Sequence, residues 1–302
     1  IPSYKLEKDV IDAEIEVIRD LGAEIRCNVE VGRDVTIEEL KQQGYKAFYI
    51  AIGCQGGKRP GVENDMAEGT EIAVDFLKNA LSDHNQKLDG HVVVVGGGNV
   101  AIDCARTAHR FSPESVSMFC LESRETMPAS KQEIAEAEEE NVSINCSWGP
   151  KELHVDEKGH VTEIVFKRCL RTIDPETGKF SPAYDENETM TVKADRVIFA
   201  IGQAIEWGKL LEGTGVKFWH GNYPVANSFT YQTDDPDIFV GGDVFTGPKF
   251  VIDAIGQGHE AAESLIRHVS ENNVSLTIGR DRRFFRELDK NNVAINEYEI
   301  GR

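Results

Sequence analysis

A glycine-rich turn with the spacing of a nucleotide-binding loop lies near the middle of the chain. It follows a β-branched run, 91–95, precedes a helical segment, 100–110, and consists of Gly96, Gly97, Gly98, Asn99, Val100 and Ala101. In such a turn the first glycine permits a tight bend, the second lets the backbone approach a pyrophosphate, and a small last residue lets helix and strand pack closely. The helix N-terminus offers free N–H groups to phosphates. The pattern predicts a dinucleotide site; the alternative is a turn without a ligand.

An acidic residue follows the next predicted strand, 115–121. Glu122 lies about 20 residues past the glycines, where a carboxylate commonly accepts a hydrogen bond from the adenosine ribose. A carboxylate there would repel a 2′-phosphate at close range, so we expect NAD(H) to be preferred over NADP(H). Two alternatives stay open: Glu122 as a solvated surface acid, and Arg124 as either a phosphate or adenine contact or an ordinary surface cation.

The composition limits the class of protein. The 302 residues suffice for two modest domains or one large one, and the apolar fraction of 40% is ordinary for a soluble globular protein. A formal net charge of -19 repels phosphate backbones and anionic lipid, so we expect no nucleic-acid partner. Without a run of about 20 apolar residues, we expect no membrane span.

The six cysteines do not form a C-x-x-C pair. They are Cys27, Cys54, Cys104, Cys120, Cys146 and Cys169. Their spacing predicts no zinc site, no iron–sulfur cluster and no redox dithiol. It also argues against a thioredoxin-reductase-like activity, a second enzymatic function that we considered. Buried, reduced thiols in a cytoplasmic protein are the simplest interpretation.

Helices and strands are predicted to alternate around the turn. Apolar spacing predicts further helices over 8–21, 36–42, 73–81, 131–140 and 251–269. Apolar runs predict further strands over 23–28, 45–52, 195–201 and 237–240. Short alternating strands are expected from 143 to 197, and the tail beyond Asn272 carries no recognisable chemistry.

Several motifs, in order along the chain, resemble the glutamate synthase small-subunit family. The turn, continued to Arg106, and the segment 127–129 (Met-Pro-Ala) are similar to its nicotinamide-binding segment, and the opening 1–6 is similar to its start. The segments 239–243 and 254–258 resemble its second flavin motif. Relatives include the reductase half of dihydropyrimidine dehydrogenase and the larger subunit of NADH-dependent ferredoxin:NADP oxidoreductases.

This resemblance implies an α/β fold in which a Rossmann-like, three-layer dinucleotide-binding domain is inserted into a partial FAD-binding domain of glutathione-reductase type. Residues 1–72 and 200–302 would be the two flavin-domain segments, the second with the C-terminal tail, and 73–199 the NAD(P)-binding domain. Asp243 would bind the ribityl and pyrophosphate region, and a helix from Val251 would aim its N-terminus at the isoalloxazine ring. The remaining residues expected on the flavin side are Gly53, Ile201, Gly202, Gly242, Ile252 and Ala254.

The chain departs from the family pattern in two places. Members usually carry two adjacent arginines that hold the NADP 2′-phosphate, and Leu121 and Glu122 stand at those positions. This departure supports the expected preference for NAD(H). The first flavin motif, and the iron–sulfur segment that often precedes it, would lie before Ile1. We therefore expect a fragment of a longer protein that does not hold FAD firmly by itself.

The predicted function is an oxidoreductase module that passes hydride from NADH to FAD. Electrons would continue to iron–sulfur clusters of a missing segment or partner, such as a large synthase subunit or a ferredoxin-linked subunit. Direct hydride transfer depends on orientation and electrostatics, so we predict no catalytic acid, base or nucleophile. His91, His109 and His259 are expected to be packing or surface residues. The alternative is a nucleotide-binding module without redox turnover.

Overall fold

A five-stranded parallel sheet forms the centre of the computed structural model, which describes residues 1–82, 87–111, 113–219 and 222–280. In spatial order its strands are β3 (Thr70–Ile72), β10 (Arg196–Phe199), β4 (His91–Val95), β5 (Ser115–Cys120) and β6 (Ser143–Cys146). All neighbouring pairs run parallel. The last four residues of β4 are buried, as expected for a β-branched strand that is covered on both faces.

Three helices cover one face of this sheet. They are α3 (Ala73–Ser82), α4 (Asn99–Arg110) and α5 (Lys131–Glu139), and their apolar sides pack on Val92, Val94 and Met118. Side chains alternate between the two faces of a strand, so Val93, Val95 and Phe119 point the other way and join a second core cluster.

An antiparallel sheet covers the opposite face. Its strands are β7 (Trp148–Val155), β8 (Val161–Ile173) and β9 (Phe180–Lys193), paired in that order. The rings of Phe119 and Phe166 stack across the two sheets, with centroids 4.1 Å apart. The resulting order of helices, parallel sheet and antiparallel sheet confirms the predicted three-layer domain.

A separate apolar cluster lies in the segments that flank this domain. Here β1 (Phe48–Ile50) pairs in parallel with β14 (Ile238–Val240), and the cluster also takes in α2 (Ile37–Gln42) and α6 (Asp243–Thr246). Two antiparallel pairs are β2 (Gly56–Gly57) with β11 (Gln203–Ala204) and β12 (Phe218–Trp219) with β13 (Tyr223–Pro224). The β2–β11 pair lies where the chain enters and leaves the three-layer domain, and it joins these two stretches of chain.

Two further helices are α1 (Lys8–Asp20) and α7 (Val251–Val269), and α7 contacts β14. No residue of α1 is buried. Within the described ranges, no helix is both long enough and apolar enough to cross a bilayer.

The structure corrects two of the expectations. Residues 23–28 are exposed and form no strand, because no neighbouring strand of the described chain accepts them. The strands between 143 and 197 are not all short, since β8 and β9 have 13 and 14 residues and the turn at 174–178 joins them into one hairpin. β3 falls in the range 1–72 but pairs with β10, so we propose a boundary near residue 69. Of the predicted tail, residues 281–302 lie outside the described residues.

Side chains of the opening segment 1–6 contact side chains of α4. The ring of Tyr4 lies against Arg110 and Arg106, whose guanidinium carbons are 3.9 and 4.8 Å from its centre. Lys5 forms ion pairs with Asp103 on α4, at 2.5 Å, and with Glu133 on α5. The first flanking segment is therefore held to the three-layer domain through side chains of α4 and α5.

The same helices are tied together by Glu140. Its carboxylate is 2.7 Å from both Arg110 and Arg106. The hydrogen bond from Arg110, together with that from Arg106, outweighs burial and lowers the pKa of Glu140 to about 2. Since the pKa is lower in the folded chain, the stabilisation is present above the unfolded pKa and is lost as the pH falls through the folded one.

We expect Glu140→Gln to lower the free energy of unfolding by about 1–2 kcal/mol near neutral pH, because three charge-assisted hydrogen bonds from Arg106 and Arg110 are lost or weakened in a partly buried network. The deficit should shrink as the pH falls from about 5 towards about 2. Urea unfolding across this range measures it, and Glu139→Gln is the matched control on the exposed side of α5. Equal effects of the two variants at neutral pH would contradict the assignment.

Candidate functional site

The glycine-rich turn joins β4 to α4 at the carboxyl edge of the parallel sheet. Gly96 has a φ of +146°, and a Cβ on it would lie 2.4 Å from the Ala200 carbonyl oxygen. A Cβ on Gly97 would lie 2.8 Å from Glu122 Oε2. By contrast, no atom lies within 4 Å of the Cβ position of Gly98. Protein atoms therefore fill the space beside the first two glycines of the turn, whereas the space beside the third is open.

The amino end of α4 points into this open space. Gly98 is the N-cap, and no side chain caps the helix. The first N–H groups of a helix have no partner within it, and those of Asn99 and Val100 find no other acceptor in the described part of the chain. Unpaired donors at a helix N-terminus favour an anion such as a diphosphate.

A short loop closes the turn from the outside. The Ala129 N–H donates to the Gly97 carbonyl oxygen at 3.1 Å, and the Ser130 N–H donates to Asn99 Oδ1 at 2.9 Å. Met127 and Ala129 are buried. The segment 127–129, noted in the sequence, therefore supports the shape of the turn.

The turn opens into a cleft of about 1590 Å³ that is shared by both parts of the molecule. Eleven of the predicted site residues line it: Gly53, Gly96, Gly97, Gly98, Asn99, Val100, Glu122, Ile201, Gly202, Asp243 and Val251. The nucleotide-side and flavin-side residues thus face one cavity, although they come from segments far apart in the sequence.

The other five predicted residues do not line the cleft. Ala101 is fully buried under the turn. Arg124 pairs with Glu138 at 2.6 Å, a placement that favours its interpretation as a surface cation. Ile252 is exposed on α7. Gly242 and Ala254 pack on each other, since a Cβ on Gly242 would be 3.6 Å from the Cβ of Ala254.

Glu122 stands at the edge of the turn with a free carboxylate. Its backbone oxygen accepts from the Ser147 N–H at 2.8 Å and from the Cys120 thiol at 3.6 Å. Its side-chain oxygens have no hydrogen-bond or ion-pair partner among the described residues. An ionised carboxylate is an acceptor only, so this group is available to hydroxyl donors that enter the cleft.

On the opposite wall, the chain turns between β14 and α7. Gly242 has a φ of +67°, and its N–H donates to Gln257 Oε1 at 2.8 Å. Asp243 Oδ1 accepts from the Lys249 N–H at 3.2 Å. The Asp253 carboxylate accepts a hydrogen bond from the Phe250 N–H at 3.2 Å. Its negative charge offsets part of the positive partial charge that we expected at the N-terminus of α7. Sequence reasoning did not identify Gln257 as a support of this turn.

Sequence reasoning also missed a group of ring-bearing residues in the cleft wall beyond Glu122. They belong to β7 and β9 and are Trp148, Pro150, Phe180, Pro182 and Tyr184. Strand alternation alone did not distinguish them from other sheet residues, because only the packing of the antiparallel sheet brings them to the cleft. The aromatic side chains of Trp148, Phe180 and Tyr184 were the one available signal.

Comparison with known proteins is consistent with this arrangement. The profile of a family described as "Pyridine nucleotide-disulphide oxidoreductase" matches residues 7–258. The chain belongs to the pyridine nucleotide-disulphide oxidoreductase family. The family takes its name from pyridine nucleotides, of which NAD(P) is one.

Three curated relatives of this family member are named as a subunit or chain of an oxidoreductase. The beta subunit of an NADP(+)-dependent formate dehydrogenase from Moorella thermoacetica is 36% identical over 281 residues, 92% of this chain and 39% of the relative. The small chain of the NADPH glutamate synthase of Escherichia coli K12 is 31% identical and is covered to 59%, with 88% of this chain. The subunit PreT of an NAD-dependent dihydropyrimidine dehydrogenase from the same strain is 31% identical, with 88% of this chain and 57% of its own length covered. The chain thus spans 39% to 59% of these proteins.

Solved structures share the fold. FprA from Mycobacterium tuberculosis, in a complex with NADPH, superposes with a TM-score of 0.64 at 17% identity, over 80% of this chain and 67% of that one. The thioredoxin reductase of T. acidophilum gives a TM-score of 0.54 at 22% identity, over 72% and 64%. At these identities the likeness shows the fold, which is of the predicted α/β type.

Proposed function

We propose that this chain is the pyridine-nucleotide-binding part of a flavin-dependent oxidoreductase of the glutamate synthase small-subunit type. NADH would deliver hydride to FAD, and the electrons would continue to iron–sulfur clusters in a further segment or partner. The observation that carries the proposal is the shared cleft, because it sets the turn 96–101 opposite Asp243 and the start of α7.

The turn supplies the nucleotide-side contacts in this proposal. The N–H groups of Asn99 and Val100 would hold the diphosphate, and Gly98 leaves room for it. The free carboxylate of Glu122 would accept a hydrogen bond from the adenosine ribose. These contacts would orient the nicotinamide end towards the opposite wall, and orientation is the main requirement of a direct hydride transfer.

The opposite wall would take the flavin end of FAD. Gly242 has a left-handed conformation in this turn, and Tyr49 packs beside Gly241, since a Cβ on Gly241 would lie 1.9 Å from the Tyr49 hydroxyl oxygen. Bound FAD would supply the hydride acceptor. Asp243 would hold its ribityl and pyrophosphate region, and the N-terminus of α7 would lie beside the ring.

The preference for NAD(H) rests on Glu122 alone. The names of the relatives do not support it, since the formate dehydrogenase and glutamate synthase subunits are named for NADP(H) and the dihydropyrimidine dehydrogenase subunit for NAD. The proposal follows from charge, because a carboxylate beside the ribose repels the 2′-phosphate of NADP(H).

The partner proposal comes from the relatives. Three of them are named as subunits or chains, which supports a partner subunit. We propose that this partner is an iron–sulfur domain or subunit, such as a large synthase or ferredoxin-linked subunit, and that it is the next electron carrier. We also propose a cytoplasmic location, since free thiols are typical of that compartment.

The test is anaerobic titration with NADH of the purified chain, after incubation with FAD and removal of the unbound FAD. We expect a flavin absorbance band that NADH bleaches, and we expect the band to persist in the matched variant Gly98→Ala. A colourless protein that still binds NADH would instead support the alternative, a nucleotide-binding module without redox turnover, and would contradict flavin reduction by this chain.

A further inference from the structure

Two cysteines lie side by side at the carboxyl edge of the parallel sheet. Cys120 and Cys146 are register partners at the ends of β5 and β6, so their side chains project from the same face. Paired positions on adjacent strands are about 5 Å apart, which is within the range that a disulfide spans. The sequence alone gave no sign of this pair, because 25 residues separate the two cysteines.

The pair touches the nucleotide-binding turn directly. A Cβ on Gly97 would lie 3.0 Å from Cys120 Cβ and 3.5 Å from its sulfur, and Cys120 also lines the cleft. The Cys120 thiol donates to the Glu122 backbone oxygen at 3.6 Å. Cys146 is partly exposed, and its sulfur lies 3.7 Å from that of Met127.

The other four cysteines are differently placed. Cys27 is exposed. The three buried thiols each donate to a separate backbone oxygen, those of Asp243, Ala73 and Arg171 for Cys54, Cys104 and Cys169. Among the described residues, only Cys120 and Cys146 are cysteines in register on neighbouring strands.

We propose that Cys120 and Cys146 form a reversible disulfide under oxidation by a peroxide, and that this bond weakens nucleotide binding at the turn 96–101. The formation of the bond is independent of the proposed function. Its effect on nucleotide binding rests on that function.

The chemistry takes two steps. The Cys146 sulfur, as thiolate, attacks hydrogen peroxide, the O–O bond breaks, and a sulfenic acid forms on Cys146 with release of hydroxide. The Cys120 sulfur then attacks the Cys146 sulfur, the S–S bond forms, and the hydroxyl leaves as water with the Cys120 proton. Overall, two thiols and one peroxide give one disulfide and two waters, with two electrons passing from sulfur to the peroxide oxygens.

The order of these steps follows from burial. Desolvation of the buried sulfur, and then the neighbouring Cys146 thiol, raise the pKa of Cys120. Cys120 is therefore a poor nucleophile towards a dissolved oxidant, whereas the partly exposed Cys146 can meet one. Contact between the two sulfurs makes the second step intramolecular, which compensates for the weaker nucleophile.

Oxidation should disturb the turn because it moves the Cys120 sulfur. A bond of about 2 Å to Cys146 draws that sulfur away from the Glu122 backbone oxygen and from under Gly97. Binding sites need their groups held to about 0.5 Å, so we expect the Kd for NADH to rise by about tenfold, and a thiol reductant to restore it.

The test treats the reduced full chain with hydrogen peroxide, blocks the remaining thiols, and digests with trypsin. We expect the peptides 111–124 and 132–151 to be joined by a disulfide, with the loss of two hydrogen atoms from the intact mass. Cys146→Ser should abolish the link and the change in Kd, while the matched control Cys27→Ser should keep both.

Two outcomes would overturn the inference. One is the absence of the joined peptides, with Cys120 and Cys146 alkylated as in the untreated chain. The other is a joined pair with an unchanged Kd for NADH, which would remove the link to the turn. If the reduced chain binds no NADH at all but the disulfide forms, the proposed function fails and the redox-sensitive pair stands.

Discussion

Gly98→Ala is expected to weaken NADH binding by about a hundredfold while leaving the fold intact. Nothing lies within 4 Å of the Cβ position of Gly98, so the methyl group strains no protein contact. It enters the space in front of the amino end of α4 where the diphosphate would lie, and a displacement of about 1 Å there can cost about 100-fold. Isothermal titration with NADH measures the affinity, and thermal unfolding measures the stability.

A second alanine substitution separates this effect from a general effect of glycine replacement. Gly215→Ala also adds a methyl group without strain, since its Cβ would meet Asp235 at 3.7 Å, an ordinary contact, in a segment that does not line the cleft. We expect unchanged affinity in this control. A Gly98→Ala protein that binds NADH as tightly as the parent would place the nucleotide elsewhere.

Replacing Glu122 with arginine is expected to reverse the preference between NADH and NADPH. The change removes the ribose acceptor and adds a cation that can pair with the 2′-phosphate. Hydrogen bonds to charged groups contribute about 1.5–3 kcal/mol, so the ratio of the two affinities should move by about tenfold to a hundredfold or more. The measurement is the Kd for each nucleotide at the same ionic strength, because screening weakens such pairs.

The matched control is Glu125→Arg, which makes the same change of charge three residues away. Glu125 is exposed, accepts from the Ser123 hydroxyl and does not line the cleft. We expect it to leave the nucleotide preference within about twofold. Equal affinities for NADH and NADPH in the parent, unchanged by Glu122→Arg, would show that Glu122 does not contact the ribose.

Local patterns were enough for the elements around the turn. The strand ending at Val95, the helix to Arg110 and the helix from Val251 to Val269 lie where they were predicted. Each depends on interactions between residues close in sequence: β-branched crowding, apolar periodicity, and glycine at a position where Gly96 needs a φ that other residues rarely adopt. Such signals do not require knowledge of the partner elements.

Local patterns failed where a partner decided the outcome. Residues 23–28 have strand-like composition but no neighbouring strand, so they stay irregular and exposed. Arg124 is close to the turn in sequence, yet Glu138 on α5 holds it outside the cleft. Trp148 and Tyr184 reach the cleft only because the antiparallel sheet packs on β4 and β5.

The sequence by itself determined the glycine-rich turn, its acidic neighbour and the family, because these depend on residue types at short, fixed spacing. The tertiary structure decided that Gly98 faces open space, that Asp243 shares its cleft, and that Cys120 lies beside Cys146. These features join residues that are far apart along the chain. Their distances follow from sheet register and from the packing of the two parts, which short-range sequence patterns do not encode.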